Sequence, residues 1–168
     1  IRPPFHVWVF AGLLRTALEL GGGPAEGVRL IQALQVALGV AMVPLCYSLG
    51  ARLFNARAGL LFAGFWAIWF PFVELPATLF SEPIYLFLWT LHVWLLLRWG
   101  DHGRTRDLLL AGVTLGAAAL TRSPALYALA FVLPWTVWRA WSGAARPGMV
   151  RASIVALRPF AVLARRRW

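Results

Sequence analysis

Five apolar runs, each without a charged residue and each closed off by Arg, Asp or Glu, dominate this chain. They are Leu30 to Ala51, Ala58 to Val73, Pro83 to Leu97, Leu108 to Thr121 and Ser123 to Trp138. A helix needs about 20 mostly apolar residues to cross a hydrocarbon core of about 30 Å. The first two runs read as spans, and the last three are short and need interfacial flanks to cross. Backbone groups in lipid must bond within their own segment, which leaves helices, since closed strands would need a polar alternation that is absent. The expected fold is therefore all-α: a polytopic transmembrane protein of about five spans plus an interfacial helix.

Composition supports that reading. Of 168 residues, 61% are apolar and 13% charged, against about 25% charged in an ordinary soluble domain. The net charge of +10 comes entirely from Arg, with no Lys. Those arginines fall between the runs and not on one polar face, so they report membrane topology, and no nucleic-acid partner is expected. Cys46 stands alone inside an apolar run, which excludes an internal disulfide, and no Cys/His cluster has zinc spacing.

Orientation follows from the connections. Arg52 to Arg57, Arg98 to Asp107 and Arg139 to Arg151 are rich in Arg, and alternating helices put all three on one side. By the positive-inside rule that side is cytoplasmic, which sends Glu74 to Glu82 and the turn Thr121-Arg122-Ser123-Pro124 to the outer face. The expected location is a cell (plasma or inner) membrane, multi-pass, with the active face outward. Residues 4 to 20 carry an Arg15/Glu19 pair at i, i+4 and read as an interfacial helix ended by Gly21-Gly22-Gly23-Pro24. The expected organisation is one partial membrane domain over 1–168: an outer juxtamembrane segment 1–27, five spans in 28–139, then a cytoplasmic loop and an unassigned tail in 140–168. Opening at Ile1, with no initiating or signal segment, the chain reads as a fragment.

Chemistry concentrates on the outer side. In Ser81-Glu82-Pro83 the proline suits the first helical position, so Glu82 marks a helix N-terminus. Its carboxylate either complements the helix dipole or works at headgroup depth, holding Mg²⁺ or Mn²⁺ against a lipid phosphate or orienting an acceptor hydroxyl. Glu74, in the same loop, is placed to assist. Arg122 interrupts an otherwise apolar stretch and either snorkels to water or offers a guanidinium fork to a phosphate. Arg2, ahead of Pro3-Pro4, invites the same comparison. His6 is a candidate metal or substrate contact near the outer surface. His92, near mid-span, reads as a neutral imidazole bonded to a helix carbonyl, and His102 as a solvated loop residue. Trp99, Trp135, Trp138 and Trp141 read as an aromatic belt. Trp66 and Trp69 are packing residues or sugar-stacking platforms, and Gly112/Gly116 form a G-x-x-x-G step that permits close approach of a neighbouring helix.

Four stretches resemble a known family. Arg2-Pro3-Pro4-Phe5-His6 opens a short helix. Val28-Arg29-Leu30 begins a span that leads into Leu49-Gly50-Ala51-Arg52-Leu53-Phe54-Asn55-Ala56-Arg57-Ala58-Gly59-Leu60-Leu61. Leu79-Phe80-Ser81-Glu82-Pro83-Ile84-Tyr85 and Ala119-Leu120-Thr121-Arg122-Ser123-Pro124 follow in order. Together they resemble the GT-C glycosyltransferases of the protein O-mannosyltransferase and aminoarabinose-transferase type.

The resemblance implies transfer of a sugar, with inversion, from a polyprenyl-phosphate donor to a glycan, lipid or protein acceptor outside the cytoplasm. It also implies that the general base lies upstream of Ile1, that Glu82 positions acceptor or metal, and that Arg2 contacts the donor phosphate, while Arg122 matches the family's turn arginine without an assigned role. On that comparison the chain alone is expected to be inactive. The competing expectation is a non-catalytic membrane fragment or a piece of a transporter, although only His92 places an ionisable group at mid-span.

Overall fold

The computed structural model describes residues 4–69, 74 and 79–141. These form α1 (Phe5–Glu19), α2 (Pro24–Leu53), α3 (Ala56–Ile68), α4 (Glu82–His102), α5 (Thr105–Thr121), a 3-10 segment (Ser123–Ala128) and α6 (Leu129–Trp141). No strand occurs among the described residues.

Local chemistry accounts for most of the boundaries. After α1 the chain reverses at Gly21, whose φ of 81° is the left-handed conformation that glycine adopts freely. The Gly22 amide then bonds back to Ala17 O at 2.9 Å. Pro24 opens α2, and Glu26 reaches back to accept the Gly23 N–H at 2.8 Å, satisfying one of the donors a helix start leaves over. Asn55 Oδ1 accepts from Ala58 N at 3.0 Å and so caps α3. Gly103, at φ 67°, ends α4, and its amide bonds Trp99 O at 2.7 Å.

Side-chain bonds fix how the helices stand against one another. Between α2 and α4, Gln35 Nε2 donates to Phe80 O, Trp94 Nε1 donates to Ser48 Oγ, and Arg52 pairs with Asp101. The partners are 45, 46 and 49 residues apart in sequence. A nearly constant offset means that the two helices run parallel. Between α4 and α5, Arg98 meets Asp107, His92 meets Ala111 and Glu82 meets Arg122, stepping along the two helices in opposite senses. These two are an antiparallel pair.

The α2–α3 hairpin closes on glycines. A Cβ at Gly59 would sit 2.7 Å from Tyr47 O, and one at Gly50 would sit 2.9 Å from Gly59 Cα. Farther along, Trp66 Nε1 donates to Gly39 O at 3.3 Å, so Trp66 is a packing residue at this seam. Helix α6 reaches the α4–α5 pair through its side chains, with Val132 and Trp135 against the core of Leu95, Leu96 and Ala111 and the Arg139 guanidinium donating to Gly100 O. Trp99 and Trp135 meet edge to face at 5.8 Å.

This arrangement sorts charge by end. Arg52, Arg98, Asp101, Asp107 and Arg139 gather at the α4–α5 turn, whereas Glu82 and Arg122 lie at the opposite end of the same pair. The apolar surface is left outward. Leu60, Leu61 and Ile68 of α3 and Leu109 and Val113 of α5 are all more than 60% exposed, which suits hydrocarbon and would be a liability in water.

Several expected boundaries shift. The run Ser123 to Trp138 is not one helix. Pro124 leads a 3-10 segment through Ala128, and the α-helix runs only from Leu129 to Trp141. The first span starts earlier than its uncharged run, at Pro24, because Pro24 and Glu26 supply a helix start. The run Ala58 to Val73 is helical as far as Ile68, and residues 70–73 lie outside the described residues. Of the described helices, α2 alone is both long and apolar enough to cross a membrane by itself. Gly112 and Gly116 have no atom within 4 Å of where a Cβ would stand, so no described helix uses that step.

Candidate functional site

The start of α4, the end of α5 and the start of α1 surround an open cleft of about 670 Å³ lined by His6, Phe80, Ser81, Glu82, Thr121 and Arg122, among others. Each residue arrives there for a local reason. Glu82 is the first residue of α4 and its carboxylate complements the positive end of the helix, while Pro83 sits in the first turn, where its missing N–H costs nothing. Arg122 is the residue at which α5 stops, because its extended backbone (φ −149°, ψ 132°) turns the chain toward Pro124. His6 comes from the first turn of α1.

Glu82 and Arg122 meet across the cleft, with Oε1 to Nη1 at 3.1 Å. The carboxylate is 29% and the guanidinium 44% exposed, so both remain open to a ligand. Ser81 Oγ lies 3.5 Å from the other carboxylate oxygen, a contact too long to be strong. The Thr121 side chain is buried and donates to Ala117 O at 2.8 Å. His6 stacks edge to face on Phe10 at 6.0 Å, and its Nδ1 is shielded from solvent with no partner among the described residues. The cleft thus combines a cation held by a carboxylate with a ring nitrogen free to accept or donate.

Of the residues singled out in the sequence, the fold brings together His6, Glu82 and Arg122. Glu74 is exposed and does not line the cleft, and Arg2 lies outside the described residues. Among the described residues no three His, Cys, Asp or Glu side chains are grouped to hold a metal ion. With one Glu82 oxygen turned to Arg122, a divalent cation here would need ligands from elsewhere. His92 is buried, with Nδ1 at 2.8 Å from Ala111 O, and serves the α4–α5 seam. Sequence reasoning missed Gln35, which is fully buried in α2 and donates to Phe80 O at the cleft edge. The available signal was a pair of amides, Gln32 and Gln35, inside an otherwise apolar run.

The family described as dolichyl-phosphate-mannose-protein mannosyltransferase matches residues 2–164. No curated protein and no solved structure matches the chain.

Proposed function

The chain belongs to the dolichyl-phosphate-mannose-protein mannosyltransferase family, membrane glycosyltransferases of GT-C type, and from that premise we propose that the intact protein transfers a sugar from a polyprenyl-phosphate donor to a protein, glycan or lipid acceptor. The reaction takes place at the outer face of a cell membrane that the protein crosses several times. The observation that carries this reading is the Glu82–Arg122 pair in an open cleft, at the end of the α4–α5 pair away from its basic turn.

The bond between the anomeric carbon and the donor phosphate oxygen breaks as the acceptor oxygen attacks from the opposite side, with inversion. Negative charge collects on the departing phosphate, and a preorganised cation stabilises it more than it stabilises the bound donor. Arg122 supplies that cation, with Arg2 as a second phosphate contact. Glu82 holds the guanidinium in place and gives the acceptor hydroxyl a polar contact, while His6 flanks the approach. The acceptor proton goes to a base contributed from outside the described residues.

The test is transfer of labelled sugar from membrane lipid donors by the full-length reading frame, wild type against Glu82→Ala at matched expression. Transfer by the wild type that the substitution abolishes supports the reading. A well-folded wild type that transfers nothing across a donor panel refutes it and favours a non-catalytic membrane protein.

A further inference from the structure

Gln35 is fully buried on the inner face of α2, on the side that carries Ile31, Met42 and Cys46. A primary amide buried among apolar helices is unfavourable unless it is bonded, and a leucine would fill the same space without that cost. The amide at this position therefore requires a reason. Nε2 donates to Phe80 O at 2.8 Å, while Oε1 has no donor among the described residues. Only the NH₂ can face a carbonyl, so the bond fixes the orientation of the amide and leaves its oxygen without a donor.

The position of Phe80 gives that contact its consequence. It stands two residues before Glu82, ahead of α4, and lines the cleft. A carbonyl ahead of a helix must find its donor elsewhere, and Gln35 provides one from a helix 45 residues away. The α2–α4 register is set at the far end by Arg52–Asp101 and in the middle by Ser48–Trp94. At the cleft end it is set by Gln35.

We propose that Gln35 is a positioning residue for the cleft: its amide anchors Phe80 and so fixes the depth at which α4 presents the Glu82 carboxylate to Arg122. Its effect on rate rests on the transferase reading, whereas its effect on the position of Phe80 and Ser81 does not.

Two measurements on the full-length protein separate these. In the first, Ser81→Cys is labelled by a membrane-impermeant maleimide. The native Cys46 is fully buried and stays silent. Gln35→Met, which keeps volume and helical preference but has no donor, is expected to raise the Ser81→Cys labelling rate at least about threefold, the low end of what loss of one such hydrogen bond yields. Gln35→Asn, one methylene too short to reach, is expected to do the same and serves if the Met variant fails to fold. Unchanged labelling in a folded variant overturns the proposal.

In the second, Gln35→Met is expected to lower sugar transfer about tenfold in the wild-type background and by less than twofold in a Glu82→Gln background, because Gln35 acts through Glu82. An equal fractional loss in both backgrounds means that Gln35 is merely structural and overturns the proposal. If the wild type transfers nothing, the transferase reading falls and the labelling rates alone judge Gln35.

Discussion

Replacing Gly59 by Ala tests the α2–α3 seam most directly, because the same helix carries its own control at Gly64. A Cβ at Gly59 would stand 2.7 Å from Tyr47 O, 2.9 Å from Ala51 N and 3.0 Å from Ala51 Cβ. The first two are backbone atoms of α2 and cannot rotate away. Ordinary contact begins near 3.4 Å, so α3 must retreat by roughly 0.7 Å, the difference from 2.7 Å. Overpacking of this kind costs about 1–3 kcal/mol.

The substitution also gains helical preference, about 1 kcal/mol for Gly to Ala, which obscures the clash if Gly59→Ala is measured alone. Gly64 has nothing within 4 Å, and Gly64→Ala collects the same gain without a clash. The difference between the two variants therefore isolates the steric term. At about 2–4 °C per kcal/mol for a chain of this size, Gly59→Ala is expected to melt about 2–12 °C below Gly64→Ala. The assay is intrinsic fluorescence during a thermal ramp in detergent, which the ten tryptophans make sensitive, run at one scan rate for both proteins. Equal melting temperatures, or a more stable Gly59→Ala, would show that α2 and α3 do not meet at this glycine.

Glu82→Gln and Arg122→Gln are each expected to reduce transfer at least tenfold, while a double-mutant cycle in thermal stability gives a coupling below about 1 kcal/mol, since both side chains are partly solvated; coupling several times larger would make the pair a structural clamp. At the other end of the bundle, Arg52→Ala is expected to cost about 1–3 kcal/mol, because the Arg52–Asp101 contact of 2.7 Å is only about one-fifth exposed at either partner; the exchange Arg52→Asp with Asp101→Arg recovers part of that loss, and no recovery would contradict the α2–α4 register.

Much of the helical outline was legible in the sequence because helix ends are decided by neighbours in sequence. Gly21-Gly22-Gly23-Pro24 had to break α1 from α2, since glycine adopts positive φ and proline opens a helix. Glu82-Pro83 had to start a helix, and Arg122-Ser123-Pro124 had to end one. The family was legible too: the motifs that resembled it span much of the stretch 2–164 that matches. Where the sequence misled, at Ser123 to Trp138, an uninterrupted apolar run hid a change from 3-10 to α geometry, because hydropathy does not register how tightly a helix is wound.

What the chain's own order could not decide was which residues meet across helices. Gly112 and Gly116 have the spacing of a packing motif and stand open, whereas Gly50 and Gly59, on two different helices, make the close approach. Nothing along the chain sets Gln35 apart from Gln32, and only the parallel register of α2 and α4 brings it under Phe80. His6, Glu82 and Arg122 are far apart in sequence, and they share one cleft because three helix ends coincide there. Hydropathy and capping act over one or two turns and can be read along a single strand of sequence, but a site is made by long-range pairing, and that is settled only when whole helix faces choose their partners.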